Sequence, residues 1–147
     1  MREKKGGIMI RTGECFCGGV KYKIDGDVYG ARQCHCSRCR KAFSAQANSY
    51  ARVDADQFSW VTGEDLLVTY PAGGTTGKKF CGQCGSTLCG IVEGRVHGVT
   101  LGCLNDDDGI QIKAHIFVGS KAPWEVIPEN APQYDEFPED PSLFDAR

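Results

Sequence analysis

Nine cysteines in a chain of 147 residues constrain this sequence more than any other feature, because seven of them fall in tight clusters. The clusters are Cys15-x-Cys17, Cys34-x-Cys36-x-x-Cys39 and Cys81-x-x-Cys84, with Cys89 and Cys103 standing alone. In a C-x-x-C followed by glycine, as in Cys81-Gly-Gln-Cys84-Gly85, the chain makes a tight knuckle that points both sulfurs at one ion. The glycine tolerates the backbone angle by which the chain leaves the knuckle. A closed structural zinc site takes four ligands, and thiolates are its preferred soft partners. The seven clustered thiols therefore divide into a set of four and a set of three.

Spacing suggests which set is which. Cys15 and Cys17 with Cys81 and Cys84 supply four sulfurs from two distant segments, tying an early strand to the one that ends at Cys81. Cys34, Cys36 and Cys39 then form a local triad that leaves the fourth zinc position to water or substrate, as a catalytic site requires. The expectation is two zinc ions per chain, one structural and one catalytic and labile. A swapped set, in which Cys34 and Cys36 join the Cys81 knuckle, has the same ligand count and stays open at this point. A redox pair is the rival to metal, but a thioredoxin-like motif belongs at a strand-to-helix turn in a βαβ pattern, which is absent. Cys89 and Cys103 lie in apolar stretches and read as core packing.

The net charge of −2 and pI of about 5.9 give no electrostatic reason to bind nucleic acid. No apolar run of signal-peptide length follows the charged start, and nowhere is there the roughly twenty-residue apolar run that crosses a bilayer. The chain reads as a soluble, cytoplasmic protein with no membrane partner. In a reducing compartment, paired cysteines hold metal more readily than they form structural disulfides.

Alternation of apolar and polar residues marks a half-buried strand over Val20–Ile24. Further strands are expected over 47–53, 58–61, 66–70, 78–81, 87–92, 96–101 and 114–118, separated by turn residues such as Asp25-Gly26 and Glu93-Gly94. One short helix is expected from Ser37 to Phe43, with Ser37 as its N-cap. Residues 1–12 show no periodicity and read as a frayed lead-in, with a single domain over 13–147. Its last part, 123–147, is an acidic, Pro-rich strap anchored by Trp124, Tyr134, Phe137 and Phe144. The fold class is mainly β: short antiparallel sheets with one short helix.

Arg32, His35, Arg38, Arg40 and Lys41 surround the triad. Three thiolates on Zn²⁺ leave a net negative charge, which nearby cations offset while offering sites to an anionic ligand; Arg38, Arg40 and Lys41 are the candidates for holding its carboxylates. His35, between two ligands in an extended C-x-C, should point away from the metal. His97 and His115 fall in strand-like segments and read as satisfied or exposed.

Four segments carry a family resemblance: Gly13-Glu-Cys-Phe-Cys-Gly-Gly-Val20, Cys34-His-Cys-Ser-Arg-Cys-Arg-Lys41, Phe80-Cys-Gly-Gln-Cys-Gly-Ser-Thr87 and His115-Ile-Phe-Val-Gly-Ser-Lys-Ala-Pro-Trp124. On these the chain resembles the glutathione-dependent formaldehyde-activating enzyme family, whose domain also occurs in a vertebrate centromere protein. The resemblance implies a β-tent, a structural zinc on Cys15, Cys17, Cys81 and Cys84, and a catalytic zinc on Cys34, Cys36 and Cys39. It further implies a carbon–sulfur lyase that joins glutathione, or a related small thiol, to formaldehyde or a similar small aldehyde, giving S-hydroxymethylglutathione. The centromere relative keeps a second class in view, a non-enzymatic zinc-stabilised binding module; a thiol carrier or sensor would need the same site.

Overall fold

The computed structural model describes residues 4–5 and 8–147, with side chains from residue 9 onward. In chain order the strands are β1 (Lys4–Lys5), β2 (Ile8–Glu14), β3 (Lys21–Asp25), β4 (Val28–Cys34), β5 (Asn48–Val53) and β6 (Phe58–Thr62). They continue as β7 (Leu67–Tyr70), β8 (Gly77–Cys81), β9 (Thr87–Val92), β10 (Arg95–Thr100) and β11 (Ala114–Ile116); α1 spans Ser37–Phe43. One sheet runs β1-β2-β3-β6 and the other β11-β4-β5-β10-β9-β8-β7. The fold is mainly β with one short helix, as the alternation predicts, although the larger sheet is mixed: β11 pairs β4 in parallel.

The two sheets share a core. In β3 the exposed Lys21 and part-exposed Lys23 alternate with buried Tyr22 and Ile24, and these join Val20, Leu88, Cys89, Ile91, Val96 and Val99 in one cluster. Tyr22 opposes Trp60 and Ile24 opposes Phe58 across β3–β6, and the Phe58 and Trp60 rings meet edge-on at 4.7 Å. Cys89 is fully buried and Cys103 packs against the same cluster.

Four expectations need correction. Ile8–Glu14, which begins within the stretch 1–12 read as a lead-in, is a strand paired antiparallel with β3; residues 1–3 and 6–7 of that stretch lie outside the described residues. β4 was not foreseen, because Tyr29, Gly30 and Ala31 are buried in succession and the register slips between Tyr29 and Arg32, which erases the alternation. Gly30 adopts φ of 63°, and a Cβ there would stand 2.2 Å from the Phe144 carbonyl oxygen, so glycine lets the C-terminal segment lie directly on β4. The N-cap is Cys36 and not Ser37: its Sγ accepts the Cys39 backbone N–H at 3.2 Å. Among the expected anchors of 123–147, Phe144 is fully buried and Tyr134 packs beside it, but Trp124 is 72% exposed and Phe137 half exposed. A Pro-rich segment has no period from which its inward side chains can be read.

Candidate metal centre

Two groups of sulfurs converge. The Sγ atoms of Cys15, Cys17, Cys81 and Cys84 lie within 4.8 Å of one another, and so, separately, do those of Cys34, Cys36 and Cys39. The swapped set is therefore not the one the fold assembles.

The four-sulfur group is built from two knuckles. In the first, Gly18 N–H donates to the Cys15 carbonyl at 3.0 Å, with Gly18 at φ of 74°. In the second, Gly85 N–H donates to the Cys81 carbonyl at 2.8 Å, with Gly85 at φ of 83°. Ser86 joins them: its hydroxyl accepts from Phe16 N–H at 2.9 Å and lies 3.4 Å from Cys84 Sγ. Hydrogen bonds from Ser86 hold the Cys84 thiol down to about 5. The neighbouring Cys17 is pushed up to about 11 by the surrounding thiols, although the Gly19 N–H favours its thiolate. The donor set fits zinc: Cys15 and Cys17 sulfurs are 3.5 Å apart and those of Cys17 and Cys81 3.8 Å. Tetrahedral zinc with bonds of about 2.3 Å needs sulfurs about 3.8 Å apart.

The triad sits where β4 gives way to α1. Cys34 ends the strand in register with Asn48 and Ile116; Cys36 caps the helix and Cys39 lies in its first turn. The hydrogen bond from Cys39 lowers Cys34 to about 6 against the opposing effect of burial, while Cys39, on the donor side, is pushed far up. Three sulfurs so crowded share one negative charge awkwardly, and a divalent cation resolves the conflict by drawing charge from all of them.

Behind the triad lies a feature with no sequence cue. His35 points away from the sulfurs, and its Nδ1–H donates to Glu125 Oε2 at 2.9 Å. His35 Nε2 and His115 Nδ1 share a hydrogen bond of 3.1 Å, and His115 Nε2–H donates to Asn130 Oδ1 at 2.9 Å. His35, His115 and Glu125 are all buried. His35 N–H also donates to the Ile116 carbonyl at 2.9 Å, so backbone and side chain both pin the residue between Cys34 and Cys36. His115 is thus a satisfied buried histidine. Arg38 and Lys41 are exposed and Arg40 half-buried, and none of the three has an ion pair or side-chain hydrogen bond among the described residues.

A mainly β fold carrying one four-cysteine and one three-cysteine cluster, each able to hold a metal ion, defines a class of two-centre metal-binding β proteins. The model of the glutathione-dependent formaldehyde-activating enzyme family matches residues 10–120, and the chain belongs to that family. The fold is also similar to that in a crystal structure of a Rhodobacter sphaeroides protein, a structural-genomics target, at 22% identity and a TM-score of 0.50 over 83% of this chain and 98% of that one.

Proposed function

We propose that Cys34, Cys36 and Cys39 hold a zinc ion with one open position. This centre receives glutathione or a related thiol for condensation with formaldehyde or a similar small aldehyde. The supporting observation is the contrast between the two clusters: four converging sulfurs close a tetrahedron, three do not. Zinc held by the triad would supply Lewis acidity that keeps a bound thiol deprotonated at neutral pH. The chain's own residues do the rest. Cys36 is fixed by its cap bond, Cys34 by the sheet register, and the His35–Glu125 bond holds the intervening residue in place, so the two sulfurs are held in position to bind an ion. Arg38, Arg40 and Lys41 on α1 add positive charge that favours approach of an anionic thiol.

In the reaction the thiolate sulfur attacks the aldehyde carbon. A C–S bond forms, the C=O π pair moves to oxygen, and oxygen takes a proton; reversal breaks the C–S bond. The four-cysteine set, with zinc as its ion, serves the fold, and the cytoplasm, where glutathione is abundant, is the setting. Exchange-type NMR of glutathione with formaldehyde tests this reading. Zinc-loaded protein should accelerate the exchange and Cys39→Ser should not; a rate no faster than buffer would favour the binding-module or thiol-carrier alternative.

A further inference from the structure

Arg32 projects from the same face of β4 as Cys34, two residues before it, about 6.6 Å along the strand. Its guanidinium lies 4.3 Å from the Phe144 ring centroid and 5.7 Å from that of Tyr50. Among the described residues its side chain has no ion pair or hydrogen bond. Arg32 opens onto a cavity of about 280 Å³ shared with Arg52, His97, Phe144 and Asp145.

Charge in this cavity is unbalanced. Asp145 is the one carboxylate among the lining residues, and it already accepts from Arg52 Nη1 at 2.5 Å. Among the lining residues Arg32 is left without a carboxylate partner; outside them, Tyr50 and the Cys34 sulfur are the groups whose negative charge acts on it. His97, hydrogen-bonded to the Tyr50 hydroxyl at 3.1 Å, is held below its usual range by burial and then by Arg52 and Arg32. The floor is built for this arrangement. A Cβ on Gly98 would stand 2.4 Å from Tyr50 Cζ, and one on Gly90 2.8 Å from the Tyr50 hydroxyl, so two facing glycines let the ring lie across β10 and β9.

We propose that Arg32, on its Phe144–Tyr50 platform, is the seat for a carboxylate of the thiol ligand. The ligand class is a thiol carrying a carboxylate a few bonds from sulfur, with sulfur toward Cys34 and carboxylate on Arg32. The proposal rests on the triad accepting a thiol. It assigns anion recognition to β4, where a guanidinium fork can take a carboxylate in two parallel hydrogen bonds, as well as to α1.

Calorimetric titration of full-length, zinc-loaded protein with three probes tests it: glutathione, S-methylglutathione, which keeps the carboxylates but cannot offer a thiolate, and mercaptoethanol, which has no carboxylate. Arg32→Met should weaken glutathione and S-methylglutathione by about tenfold or more, and change mercaptoethanol by less than about twofold. Arg32→Lys keeps a charged stem on Phe144 but not the fork, and should lose about threefold or more; it decides the comparison if Arg32→Met fails to fold. In the wild type, S-methylglutathione should move the His97 ring resonances. Glutathione affinity unchanged in a folded Arg32 variant overturns the proposal. Wild-type protein that binds S-methylglutathione through Arg32 but not mercaptoethanol would retain the seat and refute the thiol-accepting triad. Binding of neither refutes both.

Discussion

Glu125→Ala removes the acceptor for His35 Nδ1–H and leaves a buried ring nitrogen unpaired, 2.9 Å from where the carboxylate stood. A hydrogen bond to a charged group contributes about 1.5–3 kcal/mol. Unfolding entropy of about 2.1 cal/mol/K per residue gives roughly 0.3 kcal/mol/K for 147 residues, so the melting midpoint should fall by about 5–10 °C. The perturbation should reach the triad, because His35 sits between Cys34 and Cys36. Affinity for zinc at that site, read by chelator competition, should drop about tenfold, the usual cost of losing a support outside the ligand set, while the four-cysteine site is unmoved. Glu125→Gln keeps an oxygen acceptor and should recover at least half of both losses. Differential scanning calorimetry and the competition assay on the three proteins decide it. A midpoint within about 2 °C of wild type in Glu125→Ala, or equal damage in Glu125→Gln, would mean that the His35–Glu125 bond does not support the triad.

The two cysteine groups should fail differently. Cys84→Ser removes a sulfur from a group that joins Cys17 to Cys81, 64 residues apart; with zinc in that group, as proposed, thermal stability or yield of folded protein should collapse. In Cys36→Ser the new hydroxyl can still cap α1, so stability should fall by less than about 1 kcal/mol, or roughly 3 °C in the midpoint, while triad metal is lost. Phe144→Ala, at a fully buried ring, should cost about 3–5 kcal/mol, or roughly 10–16 °C in the midpoint. At alkaline pH, burial raises the Cys89 thiol from 9.0 to about 12 and raises Tyr22 as well. A raised folded-state value means the neutral form is favoured by folding. The stabilisation is therefore complete below the unfolded value of 9.0 and is lost as pH climbs toward 12, and Cys89→Ala should flatten that alkaline decline in a denaturant series.

The strand most legible was Lys21–Asp25, whose side chains alternate between core and solvent. β4 was illegible because a left-handed Gly30 and a slipped register put successive residues inside, at the place where Phe144, 114 residues downstream of Gly30, lies on the strand. The cysteine groups were legible because ligand spacing is local within each cluster, although the joining of Cys17 to Cys81 is tertiary. Glu125 was not. A carboxylate in an acidic, Pro-rich stretch reads as surface, and only His35, 90 residues earlier, explains its burial. Arg32 was visible as a cation near the triad, but its aromatic platform depends on Tyr50 and Phe144 arriving from other segments.

On the proposed function, the triad keeps an open zinc position that a thiol can enter. A three-sulfur centre admits another thiolate without breaking a bond, and the added negative charge loosens every sulfur on it; a closed four-sulfur centre must first lose a ligand. Protein prepared without chelator is incubated with a chromogenic chelator, with and without millimolar glutathione. Wild type should release about one equivalent of zinc per chain only when glutathione is present, and Cys39→Ser should show no such thiol-dependent fraction. Equal release with and without glutathione, or an unchanged thiol-dependent fraction in Cys39→Ser, would mean that the triad has no position open to a thiol.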